Sequence, residues 1–350
     1  MGARHLAQPA DGLDSGVSRS LAISLGVALA VACESPSAPD ARQSAWSTGP
    51  DVPRPVLAAG VAALGLEIAV AGGFDTGGAG AMNVTAEVDV FDSAAGTWGK
   101  LPDAPVRWTD ANLIGVGDTL YLAGGIDAQR VAHGEVYALD PLSRRWHTLP
   151  PLPPGDERGA AGAIGVQNRI YLLGGASSTG VLDRCVQFDI AQQSWTALPP
   201  LPAPRAHPAA MRRSDGWLIV AGGFASLDAS EPRGEVWALP PPGAASRTWQ
   251  PRAAMQPPTD PDLRGGCAYG VVLGGLVCAG GEGAQAASKV VERYDPYLDE
   301  WTVREPMPVE RAGTQGAALG GRLFVPGGAG TLSLDPTDTL YIYTPLDTPP

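Results

Sequence analysis

A short motif of apolar residues followed by a pair of glycines occurs six times in this chain of 350 residues. Apolar side chains alternate over the four positions before the glycines, as in Leu120–Gly125 and Ile170–Gly175. The six pairs end at Gly73, Gly125, Gly175, Gly223, Gly281 and Gly328. They are separated by 47 to 58 residues, which is the length of a repeat that forms one small antiparallel sheet. Such repeats cannot bury their apolar faces alone, so we expect them to stack into one continuous array.

Three further markers recur with the same spacing. Each of the first five glycine pairs is followed by a tryptophan, at Trp98, Trp146, Trp195, Trp249 and Trp301. In four of these repeats an apolar residue followed by aspartate stands seven positions earlier, giving Asp92, Asp140, Asp189 and Asp295. The fourth repeat departs, because Leu239 is followed by Pro240 and a loop. An arginine also follows a proline-rich turn in every repeat, at Arg54, Arg107, Arg158, Arg205, Arg264 and Arg311.

Together these markers resemble the kelch repeat, and the resemblance covers the chain from about Trp46 to Tyr343. It implies an all-β fold, a six-bladed β-propeller with one four-stranded sheet in each blade. Trp46 looks like the outer strand of a blade whose other strands are missing, whereas the last repeat has no tryptophan of its own. We therefore expect the N-terminal strand to complete the C-terminal blade, which removes an open sheet edge.

The repeated residues have structural explanations. The glycine pair permits backbone conformations and close approaches that other residues do not, and the tryptophans are expected to fill the space between blades. The aspartates can accept hydrogen bonds from the backbone of the following turn. The arginines have two possible positions: they either line the mouth of the central channel or tie neighbouring loops through backbone carbonyls.

The first 44 residues read as an export segment. Residues 21–32 form a twelve-residue apolar run, too short to span a membrane but suited to a signal peptide. The end of this run together with the next residue, Ala30-Val31-Ala32-Cys33, resembles a bacterial lipobox, which implies cleavage before Cys33 and lipidation of its thiol. The predicted organisation is a signal peptide over 1–32, a lipid-anchored tether over 33–44, a propeller over 45–346 and a tail over 347–350. We therefore predict a membrane-anchored lipoprotein of the periplasm or cell surface, with a secreted soluble protein as the alternative.

Charge, cysteine and histidine content narrow the function. The net charge of −12 disfavours nucleic acid as a partner. Cys185 and Cys278 occupy slots that hold apolar residues in other repeats, so both are expected to be buried free thiols; a bridge from Cys267 to Cys278 remains an alternative that needs an offset register. No two of the four histidines have the spacing of metal ligands. The sequence therefore predicts neither a metal site nor a cofactor.

Propellers bind ligands at one mouth of the channel, through loops that join strands and blades. In kelch domains, the residues after the glycine pair and after the repeat arginine reach that mouth. Among these candidates we expect Trp108 to offer an aromatic platform to a sugar or an apolar group. The candidates are Asp75, Trp108, Asp110, Asp127, Arg158, His207, Phe224, Arg264, Glu282 and Arg311.

Three functions fit this sequence. The first is a non-catalytic module in the cell envelope that binds a protein or glycan partner at the mouth. The second is a sugar-active enzyme similar to the exported N-acetylneuraminate epimerases (mutarotases), which share the blade count. A carboxylate and an arginine could supply its chemistry, either Glu157 with Arg158 or Glu282 with Arg264. The third is a structural part of an envelope assembly.

Overall fold

The computed structural model describes residues 44–77, 81–140, 142–255, 263–332 and 335–346. The predicted signal peptide, Cys33, nearly all of the tether and the tail lie outside these residues. The described part is all-β and contains six four-stranded antiparallel sheets and one short hairpin. None of it forms a helix with the length and apolar character needed to cross a membrane.

The strands follow the repeats, with the inner strand of each blade first in the chain. A single strand, β1 (Trp46–Thr48), precedes the first complete blade. Blade 1 consists of β2 (Gly60–Leu64), β3 (Glu67–Ala71), β6 (Val88–Asp92) and β7 (Thr97–Leu101), with the hairpin β4 (Phe74–Gly77) and β5 (Ala81–Val84) inserted. Blade 2 consists of β8 (Leu113–Val116), β9 (Thr119–Ile126), β10 (Ala132–Asp140) and β11 (Arg145–Leu149). Blade 3 consists of β12 (Gly162–Val166), β13 (Arg169–Leu173), β14 (Cys185–Asp189) and β15 (Ser194–Leu198).

The remaining blades repeat this order and close the ring. Blade 4 consists of β16 (Ala209–Arg212), β17 (Leu218–Ala221), β18 (Val236–Leu239) and β19 (Gln250–Arg252). Blade 5 consists of β20 (Ala268–Val272), β21 (Gly275–Ala279), β22 (Val291–Asp295) and β23 (Glu300–Val303). Blade 6 consists of β24 (Ala317–Leu319), β25 (Arg322–Pro326), β26 (Leu340–Tyr343) and β1. Strand β1 pairs with β26 through Trp46 opposite Tyr343, so the predicted closure by the N-terminal strand is confirmed.

The tryptophans join each blade to the preceding one. In six of the nine tryptophans, Trp46 and the five that follow glycine pairs, the indole nitrogen donates a hydrogen bond of 2.9–3.1 Å to a carbonyl in the loop that leaves the preceding blade. Trp46 makes this bond to Glu305, so it serves blade 6 as Trp98 serves blade 1. Apolar side chains fill the same interfaces, as where Val136 of blade 2 and Phe188 of blade 3 share one buried cluster. The core therefore lies between the blades.

The aspartates organise the outer hairpins as expected. The Oδ1 atoms of Asp92 and Asp295 each accept two backbone N–H bonds from the following turn, and those of Asp140 and Asp189 each accept one. These backbone bonds lower the pKa of the Asp92 carboxyl.

The glycine pair is required by a close contact between blades. Gly174 has a φ of 65°, and a Cβ atom there would strike the carbonyl oxygen of Arg205 in the next blade. The same oxygen accepts a 2.7 Å hydrogen bond from the backbone of Gly175. A side chain at the first glycine would thus separate the two blades.

The expectation for one cysteine pair is wrong. Cys267 and Cys278 form a disulfide within blade 5, with their Cα atoms 5.5 Å apart. Tyr269 is directly opposite Cys278 in the ladder, so Cys267 is the diagonal neighbour of Cys278 on the same face. Cys185 is buried and free as predicted, and burial raises its pKa to about 12.

Two side chains cross the central channel. The Tyr269 hydroxyl of blade 5 accepts a 3.1 Å bond from the backbone of Ala163 in blade 3 and donates to its carbonyl at 3.3 Å. Gln315 of blade 6 donates to the carbonyl of Ala111 and accepts from the backbone of Val61, both at 3.4 Å. The channel is therefore bridged, and the mouth on one side has a floor.

Candidate functional site

One face of the propeller is built from six identical backbone pairs. In every blade the residue that leads toward the inner strand pairs with the residue after the glycine pair through two reciprocal N–H···O bonds of 2.7–3.0 Å. The pairs are Leu57–Phe74, Thr109–Ile126, Gly159–Ala176, Ala206–Phe224, Gly265–Glu282 and Ala312–Ala329. Because the pairs are repeated, the loops of all six blades approach the axis in the same way.

The next residue in each blade has a left-handed backbone. These residues have φ between 49° and 62°, and they are Ala58, Asp110, Ala160, His207, Gly266 and Gly313. The N–H groups of the first four each donate to the carbonyl of the equivalent residue in the preceding blade at 2.7–2.8 Å. These bonds link neighbouring blades and narrow the mouth to a neck.

Three ionisable side chains occupy this neck. Among the six residues after the glycine pairs and the six left-handed residues, only Asp110, His207 and Glu282 are polar; the other nine are glycine, alanine or larger apolar residues. Together with Phe224 and Gln315 they line a narrow space of about 40 Å³. All three were predicted mouth candidates.

The neck is an acidic site with one histidine. Nε2 of His207 lies 3.7 Å from Oδ1 of Asp110, and the His207 ring stands edge-on to Phe224 at 6.1 Å. Burial raises the pKa of the Glu282 carboxyl; His207 opposes that rise and Asp110 adds to it. In the part of the chain that the structure describes, no cluster of three His, Cys, Asp or Glu side chains is arranged to hold a metal ion.

The neck opens into a wider cavity of about 700 Å³ that loops from all six blades surround. We call this space the mouth cavity. Leu227 and Leu332, which were not predicted, are 53% and 41% exposed in its wall. Its ionisable residues are four carboxylates against one arginine and one histidine: Asp110, Asp127, Asp228, Glu282, Arg130 and His207. It is therefore an acidic cavity with apolar walls.

Asp127 shapes the blade 2 loop. Its Oδ1 accepts backbone bonds from Gln129 and Val131, both at 2.9 Å, and its Oδ2 lies 2.9 Å from Nε2 of His133. The histidine contact is the main reason that the pKa of this carboxyl is lowered. Asp127 thus stands at the mouth with its hydrogen bonds already directed to its own loop.

Asp75 belongs to a neighbouring cavity. This space of about 540 Å³, which we call the side cavity, shares the Asp127 loop with the mouth cavity as a wall. Its ionisable residues are Asp75, Glu87, Asp103, Arg107 and Asp127. Oδ1 of Asp75 is buried and has no hydrogen-bond partner among the described residues.

The prediction that Arg158, Arg264 and Arg311 reach the mouth is wrong. Their exposures are 0%, 7% and 5%, and they do not line the mouth cavity. Arg158 donates to the carbonyls of Gly174 and Arg184 at 2.8 and 2.6 Å. Arg264 donates to the carbonyl of Gly280 at 2.9 Å and to Glu292 at 2.6 Å. Arg158 and Arg264 thus bind backbone carbonyls inside their blades, in line with the alternative that the sequence left open, whereas the Arg311 guanidinium lies over the ring of Tyr341 at 5.1 Å.

The prediction for Trp108 is also wrong. Its carbonyl accepts the bond from Gly73 that the carbonyl of Arg205 accepts from Gly175, so Trp108 takes the repeat-arginine position in blade 2. Its side chain is 3% exposed and stacks on His133 at 5.4 Å. It packs inside the protein and offers no platform at the mouth.

Six closed blades around a bridged channel, with variable loops gathered at one mouth, define a six-bladed β-propeller. Residues 60–251 match the KLHDC2/KLHL20/DRC7 Kelch-repeats domain, and residues 263–308 match the Kelch motif. The first match alone covers more than half of the chain, so this protein belongs to the kelch-repeat family.

Known relatives agree with this assignment. Kelch-like protein terF of Aspergillus terreus is 29% identical over 306 residues, which cover 81% of this chain and 64% of that protein. Kelch-like protein 34 of Homo sapiens is 27% identical over 246 residues, which cover 65% of this chain and 36% of that protein. The chain thus spans less than two thirds of the length of either relative.

A solved structure supports the fold. The structure of YjhT matches with a TM-score of 0.69 and 18% sequence identity, covering 85% of this chain and 97% of that chain. At this identity the likeness is one of fold.

Proposed function

We propose that this kelch propeller is a binding module that takes a segment of a partner protein into its mouth cavity. The observation that carries the proposal is the cavity itself, about 700 Å³ with loops from all six blades in its wall. Its wall combines exposed leucines with charged groups, which is the composition expected of a site that binds a polypeptide. Kelch propellers serve as interaction scaffolds, and the fold alone does not specify a reaction.

The sugar-enzyme alternative has less support from the site. Both of its proposed pairs depend on an arginine that is committed elsewhere. Arg158 is bonded to two carbonyls and to Oδ1 of Asp156 at 2.8 Å, and Arg264 is bonded to Glu292 and not to Glu282.

A peptide selection tests the proposal. A phage-displayed library of random twelve-residue peptides is selected on residues 44–350, and the enriched peptides are synthesised and titrated by fluorescence anisotropy. The double variant Leu227→Ala/Leu332→Ala should bind them at least about tenfold more weakly, because burying one leucine contributes roughly 1.5–3 kcal/mol.

The matched control is Leu66→Ala/Leu142→Ala. These two leucines are 75% and 94% exposed and lie in strand-connecting turns on the opposite face of blades 1 and 2. Equal losses in both double variants, or no loss in either, would show that peptides do not bind at the mouth. A rise in melting temperature with a sugar but with no selected peptide would favour the enzyme instead.

We also propose that the protein is exported and anchored in a bacterial envelope through Cys33. The apolar run before Ala30-Val31-Ala32-Cys33 supports this, and so does the Cys267–Cys278 disulfide, since such bonds persist in oxidising compartments. The full chain, expressed in a bacterial host with an alkyne-labelled fatty acid, should take up label. Cys33→Ser should abolish labelling and Cys185→Ser should retain it; label that survives Cys33→Ser would refute the anchor.

A further inference from the structure

Among the described residues, no side chain or backbone group donates a hydrogen bond to the carboxylate oxygens of Glu282. The basic side chain that lies beside Asp110 among these residues is His207, whose Nε2 is 3.7 Å from Oδ1. The neck is narrow, and Phe224 and Gln315 complete its wall. A carboxylate that is partly removed from water in this way favours a positively charged partner.

The surroundings carry the same sign of charge. The mouth cavity contains four carboxylates against Arg130 and His207. The side cavity beyond the Asp127 loop adds Asp75, Glu87 and Asp103 against Arg107, with Glu87 paired to Lys100 at 2.6 Å. The buried, unpartnered Oδ1 of Asp75 also faces no donor among the described residues. Cavities lined by one sign of charge concentrate the field and attract the opposite sign.

The buried arginines strengthen this asymmetry. Five of the six repeat arginines are buried. Guanidinium groups at the mouth would neutralise its carboxylates, but those of Arg158 and Arg264 are bonded to carbonyls and carboxylates within their own blades. These two guanidinium groups are therefore not available at the mouth, either to neutralise its carboxylates or to donate a hydrogen bond to a ligand. The mouth is left acidic although the framework beneath it is rich in arginine.

We infer that the mouth recognises a basic side chain, arginine or lysine, on an extended segment of the partner protein, and that Asp110 and Glu282 bind its cationic group at the neck. This inference rests on the proposed function. Leu227 and Leu332 would contact the apolar stem and neighbouring residues, because long basic side chains present an apolar stem below the charge. The joint volume of about 700 and 540 Å³ on the two sides of the Asp127 loop suits a peptide better than a small amine.

The test uses charge-neutral replacements on both sides of the contact. In each selected peptide, one arginine at a time is replaced by citrulline and one lysine by acetyl-lysine. On the protein side, Asp110→Asn and Glu282→Gln keep size and polarity, and asparagine tolerates the left-handed backbone at position 110. The matched control is Glu67→Gln/Asp118→Asn, which removes two charges near the β2–β3 and β8–β9 turns on the opposite face.

We expect one peptide position whose neutral replacement weakens binding about tenfold or more, as close charge pairs at interfaces do. Asp110→Asn/Glu282→Gln should weaken the parent peptide by a similar factor and should leave the already neutral peptide nearly unchanged. The control pair should change the affinity of either peptide by less than about twofold, because screened charges on the far face act weakly.

The two proposals fail in different ways. Peptides that need Leu227 and Leu332 but bind equally well after neutral replacement would overturn the basic-side-chain inference and leave the binding function intact. Losses of the same size in the neck variant and the control pair would also overturn it, since the effect would then be one of net charge. If no peptide depends on the two leucines, both proposals fall.

Discussion

Replacing Arg158 by methionine tests whether the repeat arginine stabilises the interior of its blade or binds a ligand at the mouth of the channel. Arg158 is fully buried, and its guanidinium makes four hydrogen bonds: to the carbonyls of Gly174, Arg184 and Asp156, and to Oδ1 of Asp156. Methionine retains the apolar stem but donates no bond. The change therefore removes the donors and leaves most of the packing.

The cost follows from the groups left behind. The carbonyl of Gly174 loses this donor inside the blade, at roughly 1–3 kcal/mol for an unsatisfied group. The carbonyl of Arg184 keeps the 3.1 Å bond that it accepts from the backbone of Gly174, so it loses only about 1 kcal/mol. Asp156 keeps a partner, because Nε of Arg184 lies 3.0 Å from the same carboxylate. The expected loss is thus about 2–4 kcal/mol of unfolding free energy. In a propeller of about 300 residues that lowers the melting temperature by roughly 3–7 °C.

The assay is differential scanning calorimetry of residues 44–350 at one scan rate, since unfolding of a large domain can be irreversible. Arg184→Met is the matched control: its side chain is 48% exposed, so it should cost less than about 1 kcal/mol. Affinity for a selected peptide, measured below the transition, should not change in Arg158→Met. A melting temperature within about 2 °C of wild type together with lost peptide affinity would refute the reasoning and return Arg158 to the mouth.

Three further results are expected. Thiol titration of unfolded, unreduced residues 44–350 should find one reactive thiol, Cys185, and three thiols would contradict the disulfide. In chemical denaturation, Cys267→Ala/Cys278→Ala should have an unfolding free energy lower by roughly 3 kcal/mol, as expected when a bond that closes a loop of 11 residues is lost. Trp46→Ala should cost about 3–5 kcal/mol and expose the β26 edge, so light scattering should detect association that Trp98→Ala does not cause; two monomeric variants of equal stability would count against closure by β1. Glu282→Gln should raise the melting temperature near pH 7, because the raised pKa of Glu282 means that its ionisation destabilises the fold as pH rises. That gain should vanish well below the ordinary carboxyl pKa of 4.5, whereas Glu305→Gln should give no gain near pH 7, since Ala45 and Ser44 lower the pKa of Glu305; a gain independent of pH would contradict the burial argument.

The blade count and the closing strand could be predicted because their markers recur. In five of the six glycine pairs the first glycine meets the same steric demand, a carbonyl from the next blade, so the repeats confirm one another. Gly222 departs, because a Cβ there would first meet Sδ of Met255. Trp46 could be assigned to the last blade for the same reason, since its indole makes the bond that the five tryptophans after the glycine pairs make. Because the markers recur from repeat to repeat, the fold could be predicted from the sequence alone.

Shifts of one or two residues in the position of the repeat arginine could not be predicted from the sequence. The sequence aligns Arg107 with the other repeat arginines, but the backbone places Trp108 there and leaves Arg107 exposed. In blade 1 the equivalent position is Val56, and Arg54 reaches the carbonyl of Gly72 from two residues earlier. Shifts of one or two residues decide which side chain enters the blade and which faces solvent.

The candidate site was only partly predictable. Asp110, His207 and Glu282 follow from counting residues after the markers, but the twelve positions that actually surround the neck become visible only through the backbone pairs and the left-handed residues. Leu227 and Leu332 lie further along loops of unequal length, where no marker fixes a register. The disulfide was expected only as the alternative, because its two cysteines are diagonal rather than opposite neighbours.

Framework and neck use charge in opposite ways. The buried arginines are bonded to carbonyls and carboxylates inside their blades, so each contributes to holding its own blade together. At the neck, Asp110 and His207 occupy left-handed backbone positions that non-glycine residues adopt at a cost of about 1 kcal/mol or more, and Glu282 is desolvated without a donor from the described residues. Other blades have glycine at the positions equivalent to 110 and 207 and alanine at the position equivalent to 282. Those residues would avoid the backbone strain and the desolvation of a carboxylate. Local choices that oppose stability in this way are expected at functional sites, so the three neck residues are best explained by what they bind.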